Sequence, residues 1–180
     1  EERYVDALRL IAESQSEARQ ESATLQYLSE AFLQSVEIIQ TMLGIADFEQ
    51  FYKDYDASAD RAVAKRMFQI YRENNELLPS IYNKIDTQFG GNSDAYVDWL
   101  YDNTKLSTYE DYNSIAELDD EAREQAFTSD PVYELTNSII ELYRQLVPKI
   151  MASNTKFAEG HRLYIDGLMK MQPEKAWASD

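Results

Sequence analysis

The 180-residue chain has no cysteine, a single histidine, four prolines and five glycines. Without cysteine there can be neither disulfides nor thiolate metal sites, although this composition fits an oxidising compartment as well as a reducing one. Positive charge is also scarce. Seventeen basic against 33 acidic side chains give a net charge of -16, which disfavours nucleic acid and anionic membrane as partners, because phosphate binding needs a clustered positive field. Such a surface serves solubility first and a basic partner second. No apolar run approaches the roughly 20 residues of a membrane span. The chain opens EERYVDALRL, with neither an initiating methionine nor a charged-then-apolar leader, so it reads as an excised piece of a longer protein.

What is present is aromatic and helical. Thirteen tyrosines and seven phenylalanines supply the buried area a folded domain needs. Between Tyr4 and Leu43 there is neither proline nor glycine, and Tyr4, Ile11, Ala18, Leu25, Phe32 and Ile39 recur every seventh residue. This unbroken phase predicts one long helix, with Gly44 as its stop. At 1.5 Å per residue it would extend roughly 60 Å, long against the roughly 16 Å radius of gyration of a compact chain of this size.

Short helical stripes follow at Phe48–Tyr55 and Asp60–Leu78, then at Ile81–Phe89 with Pro79 in the first turn. Three more are expected after FGGNSD: one capped by Ser93, one capped by Ser107 or Thr108, and one over Asp119–Phe127. Asp130 as cap and Pro131 as first residue open a last long helix, kinked at Pro148 and stopped at Pro173. No sustained alternation of period two predicts a strand. The expected fold is all-α: an elongated helical domain over residues 1–180, with long antiparallel terminal helices and several short helices between them. If residue i of the first faces roughly 175 minus i of the last, Ala18 meets Phe157 and the polar stretches coincide. Both chain ends then lie at one pole, as a domain inserted into another requires.

Catalytic constellations fail on inspection. His161 is the only imidazole, and no serine sits in the glycine-flanked strand-to-helix turn of a hydrolase nucleophile. KDYDASADRAVAK resembles a calcium loop at Asp54, Asp56 and Asp60, but Ala59 and Lys65 stand where glycine and glutamate are needed. Glu159 and His161 are too close for the Glu-x-x-His of di-iron bundles. The residues point to no catalytic group, no cofactor and no metal.

Several segments, however, resemble a family. FYKDYDASADRAVAKRMFQIYREN, FGGNSDAYVDWLYDNTKLSTYEDY, SDPVYELTNSIIELYRQLVPKI and HRLYIDGLMKMQPEKAW occur in the order and spacing of the helical domain of the bacterial dipeptidyl-peptidase 7 and 11 family of serine peptidases. KDYD-x-x-x-DR and RLY-x-x-GLM-x-MQP-x-K are the most specific parts. Ala57–Ala59 depart from the proline expected in that turn.

The resemblance implies a larger parent enzyme with a chymotrypsin-like catalytic domain, into which this helical domain is inserted as a lid over the active-site cleft. The parent would release dipeptides from peptide N-termini, act in the periplasm or at the cell surface, and form a homodimer. The triad would lie outside this chain. The partners implied are the catalytic domain of the same chain and the peptide substrate, and Tyr4, His161, Arg162 and Tyr164 are expected at the interface between the domains. Gly44, Gly90 and Gly91 are candidate hinges. The competing reading is a stand-alone acidic helical module that binds a partner helix. A helical carrier of a small ligand would need a polar constellation that the sequence lacks.

Overall fold

The computed structural model describes residues 2–171, with side chains from residue 5 to 170 except that of residue 17. The expected stop at Pro173, the MQP-x-K end of the second motif and the side chain of Tyr4 lie outside the described residues. Among those described, all regular structure is helical. It comprises α1 (Glu2–Leu28), a π-helical turn (Ser29–Gln34), a 3-10 turn (Glu37–Ile39), α2 (Gln40–Leu43), α3 (Phe48–Asp54), α4 (Ala57–Asn74) and α5 (Ile81–Gln88). These are followed by α6 (Ser93–Asn103), α7 (Tyr109–Ala116), α8 (Asp120–Thr128) and α9 (Pro131–Met171).

The chain divides into two compact units, one formed by Glu1–Ala23 with Arg144–Asp180 and the other by Thr24–Tyr143. The larger unit holds an aromatic core. Phe32 lies edge-on to Phe68 at 5.0 Å and beside Tyr71 at 5.1 Å, while Phe68 also meets Tyr82 and Tyr96, each at 5.6 Å. All five rings are fully buried, with Ile38, Ile39, Ile85, Leu100, Leu135 and Ile139 packed at comparable burial. The buried hydroxyls of Tyr82 and Tyr71 donate to the carbonyls of Phe68 and Leu77 at 2.7 and 3.0 Å, which removes the cost of burying them unpaired.

The predicted single helix to Leu43 is interrupted. A π-helical turn inserts an extra residue over Ser29–Gln34, and Val36 is extended at φ -103°, ψ 99°. The restart is held from outside the segment, because the carboxylate of Asp60 accepts from the backbone N–H groups of Glu37 (2.7 Å) and Ile38 (2.9 Å). Carbonyls of the interrupted stretch are recovered by side chains: Ser35 Oγ donates to Glu30 and Gln40 Nε2 to Leu33. Gly44 ends this stretch at φ 93°, in the left-handed region that glycine adopts without strain.

Helix starts follow local rules. Asp47, Asp56, Asn92, Thr108 and Asp119 each accept from an N–H of the first turn, and Asp130 accepts from Val132. Several expected bounds shift, and α4 runs Ala57–Asn74 in place of the expected Asp60–Leu78, because the Asp56 carboxylate caps the helix three residues earlier. Asn92 caps α6, with Ser93 as its first residue. Pro79 precedes α5 and accepts from Tyr82 in a turn. α9 continues through Pro148.

In the smaller unit α1 and α9 pack at Gly160, where an added Cβ would lie 3.0 Å from Ile11 Cγ1, 3.1 Å from the Ala7 carbonyl oxygen and 3.1 Å from Leu10 Cβ. Buried Ser14 and Ser153 take the next seven-residue step along the two helices in opposite directions, as antiparallel packing requires. The register differs from the expected one: Gly160 meets Ala7 to Ile11 rather than Gln15, and Phe157 is 37% exposed instead of packed on Ala18. Having no Cβ, Gly160 lets the α9 backbone approach Ile11, Leu10 and the Ala7 carbonyl of α1, and this close approach, rather than Phe157 over Ala18, fits the helices together.

Candidate functional site

The acidic motif KDYD-x-x-x-DR is a structural hub. Asp60 is buried, and its carboxylate accepts from Tyr101 OH (2.7 Å) and Tyr55 OH (3.1 Å) in addition to the two backbone groups already described. Burial first, and the Asp60 charge second, push the hydroxyls of Tyr55 and Tyr101 well above their ordinary range, so both stay protonated donors. Arg61, one residue on, donates to Asp98 (2.7 Å) and Asp102 (2.8 Å), and Lys65 pairs with Asp98 at 2.7 Å. These bonds tie α4 to α6. The hydrogen bonds from Lys65 and then Arg61 hold the Asp98 carboxyl below its usual value.

A groove of about 660 Å³ opens in the larger unit between α5, α6, the end of α8 and the first turns of α9. Along α9 it is lined by Tyr133, Glu134, Asn137 and Glu141, which share one helical face. On the opposite wall Lys84 places its ammonium 4.5 Å from the centroid of Trp99 and forms an ion pair with Glu134. Asp130 at the end of the groove is engaged by Thr104 Oγ1, Lys105 N and Val132 N.

His161 belongs to the smaller unit. It is exposed, and its ring lies 6.2 Å from that of Phe157 at an interplanar angle of 23°. Helical geometry puts His161, Phe157, Ile165 and Leu168 along one flank of α9, and Leu8, Ala12 and Val5 along one flank of α1. Because the helices are right-handed and antiparallel, the two flanks fall on the same side of the pair. That side is apolar and open, with Val5 62%, Leu8 45% and Phe157 37% exposed. The opposite side is charged, and carries the Arg9–Asp6, Arg9–Glu13 and Lys170–Asp166 pairs. Of the expected interface residues, His161 lies on the apolar side, half-buried Tyr164 lies near the helix contact, and exposed Arg162 turns away from both. Tyr4 is on the first turns of α1, and its side chain is not described.

A sequence profile described as Peptidase S46 matches residues 40–180. The chain belongs to the peptidase S46 family. It is 28% identical to Dipeptidyl-peptidase 7 of Porphyromonas gingivalis over 98% of this chain and 27% of that protein. A second Dipeptidyl-peptidase 7, from Phocaeicola vulgatus, is 32% identical over 71% of this chain and 18% of the relative. Among solved structures, Porphyromonas endodontalis DPP11 matches 93% of this chain and 27% of its own length, with a TM-score of 0.71 at 19% identity. The chain thus spans about a quarter of the first relative and less of the second.

Within this S46 chain, the residues that assemble into a concave site are not those singled out in the sequence. Tyr133, Glu134, Asn137 and Glu141 read as an ordinary polar face of a helix, and Lys84 and Trp99 lie well upstream. The spacing of Glu134, Asn137 and Glu141 was the available signal, and it is a weak one because solvated helix faces share it.

Proposed function

We propose that this chain is the helical cap of an S46 serine dipeptidyl-peptidase, inserted into a chymotrypsin-like catalytic domain carried by the rest of the parent. The cap covers and gates the active-site cleft. The parent acts outside the cytoplasm, in the periplasm or at the cell surface, as a homodimer, and releases dipeptides from peptide N-termini. The observation that carries this reading is the match of nearly the whole chain to about a quarter of a Dipeptidyl-peptidase 7. The other three quarters of such a protein are available to supply the nucleophile, base and acid of a triad.

The open apolar side of the α1–α9 pair supports attachment to that remaining part. A two-helix layer hides only one stripe of each helix, so exposed Val5, Leu8 and Phe157 favour a covering partner. His161 and Tyr164 then belong at or beside this interface, with Tyr4 as the matching position on α1 and Arg162 at its margin. A cap that closes over bound peptide would exclude water and bar large or folded substrates.

The test is made in the full-length parent, with residues 1–180 replaced by a short linker. Loss of discrimination between short and long peptides, with altered dipeptide release, is expected. Unchanged release and unchanged discrimination would refute the cap.

A further inference from the structure

The groove on the larger unit has a chemistry of its own. Its volume of about 660 Å³ falls in the range of roughly 300–1,000 Å³ typical of ligand sites. Its charges are unevenly used. Lys84, held over Trp99, is spent on Glu134, and Asp130 is spent on its three hydrogen bonds. Glu141 is exposed and pairs with no cation among the described residues, so the unspent charge is negative. A phosphate or carboxylate ligand is thereby disfavoured. A metal ion is disfavoured too, since no group of three or more potential ligands is assembled among the described residues.

We propose that this groove binds an extended peptide carrying an arginine or lysine side chain. Lys84 shows how the groove treats a cation, laying it between the Trp99 face and a carboxylate of α9. Glu141 lies two turns beyond Glu134 on the same helical face and offers a second carboxylate to the side chain of a ligand. Asn137, one turn before Glu141, presents an amide with both donor and acceptor, the match for a peptide group. Tyr133 adds a wall on which an aliphatic stem can lie. The choice of a peptide as ligand rests on the peptidase reading, while the preference for a basic side chain rests on the groove alone.

The test uses the full-length parent and N-terminally acetylated pentapeptides of glycine with a central arginine or a central citrulline, titrated by calorimetry at about 50 mM and about 300 mM salt. The arginine peptide is expected to bind about threefold to fivefold more tightly than the citrulline peptide at low salt, with the difference narrowing at high salt. Glu141→Gln should abolish that difference, and Asn137→Ala should weaken both peptides alike. Both substitutions are outside the buried core. Equal binding of the two peptides, absence of binding, or discrimination that survives Glu141→Gln would overturn the proposal. Blocked peptides report on the groove without turnover, so failure here leaves dipeptide release unaffected, and failure of the peptidase reading leaves this titration interpretable.

Discussion

Asp60 and Glu37 divide the cost of the break after Ser35 between them. Asp60 holds Glu37 N and Ile38 N, so its charge sits close to the start of the 3-10 turn that carries the Glu37 side chain. Burial first, and the Asp60 charge second, raise the Glu37 carboxyl above its ordinary value of 4.5. A raised carboxyl favours the fold when protonated. Its stabilisation is complete below the unfolded value and is lost as pH rises through the folded one. At pH 7 the ionised Glu37 is therefore a liability, and Glu37→Gln should make the chain modestly more stable in urea denaturation. The advantage should close as pH falls to about 4.5 and below, where the wild-type group is protonated. A gain that is the same at pH 7 and pH 4 would show that charge is not its cause. Little of this was readable from KDYDASADR, because only Tyr55 lies within it and the other partners of Asp60, at residues 37, 38 and 101, come from two distant segments. The sequence could rule out the calcium loop but could not place the carboxylate.

Elements were more legible than side-chain partners. The caps and proline singled out in the sequence place the starts of α6, α7 and α9 to within a residue, because a cap acts on N–H groups two or three residues away. By contrast, α4 starts three residues early behind Asp56, a cap not singled out in the sequence. The seven-residue phase from Tyr4 identified Phe32 and Ile39 as buried but missed the interruption between them, since the π-helical turn and the extended Val36 restore the same inward face. The α1–α9 register was misjudged for a related reason, as only contact distances show that a glycine sets it. Gly160→Val tests that account. The new side chain meets the Ala7 carbonyl and Leu10 Cβ, which are backbone or rigidly attached and cannot swing away. Overpacking of this kind costs about 1–3 kcal/mol, despite glycine's helix penalty of about 1 kcal/mol being relieved. Glu159→Val, at an exposed neighbouring position, should change stability by within about 0.5–1 kcal/mol. Similar losses at the two positions, measured by thermal denaturation, would contradict the close approach.

For the whole molecule, the unequal charge sets the response to salt. Two effects oppose each other. Added salt weakens favourable pairs such as Arg61–Asp102, Lys65–Asp98 and Arg72–Asp86, whose side chains are between 30% and 62% exposed. Each such pair contributes only about 0–1 kcal/mol. Salt also screens the mutual repulsion of the acidic groups, and with 33 acids and 17 bases nearly half of the carboxylates have no lysine or arginine to answer them. Helix caps reduce this burden, because Asp47, Asp56 and Asp119 face N-terminal N–H groups. Caps act at short range, whereas the repulsion extends over many residues and falls steeply once the Debye length drops from about 30 Å at 0.01 M to about 8 Å at 0.15 M. Repulsion should therefore dominate. The melting temperature is expected to rise by about 2–4 °C between those two salt concentrations, equivalent to about 1 kcal/mol for a chain of this length. A fall over the same range would mean that the ion pairs linking α4, α5 and α6 outweigh the net charge of -16.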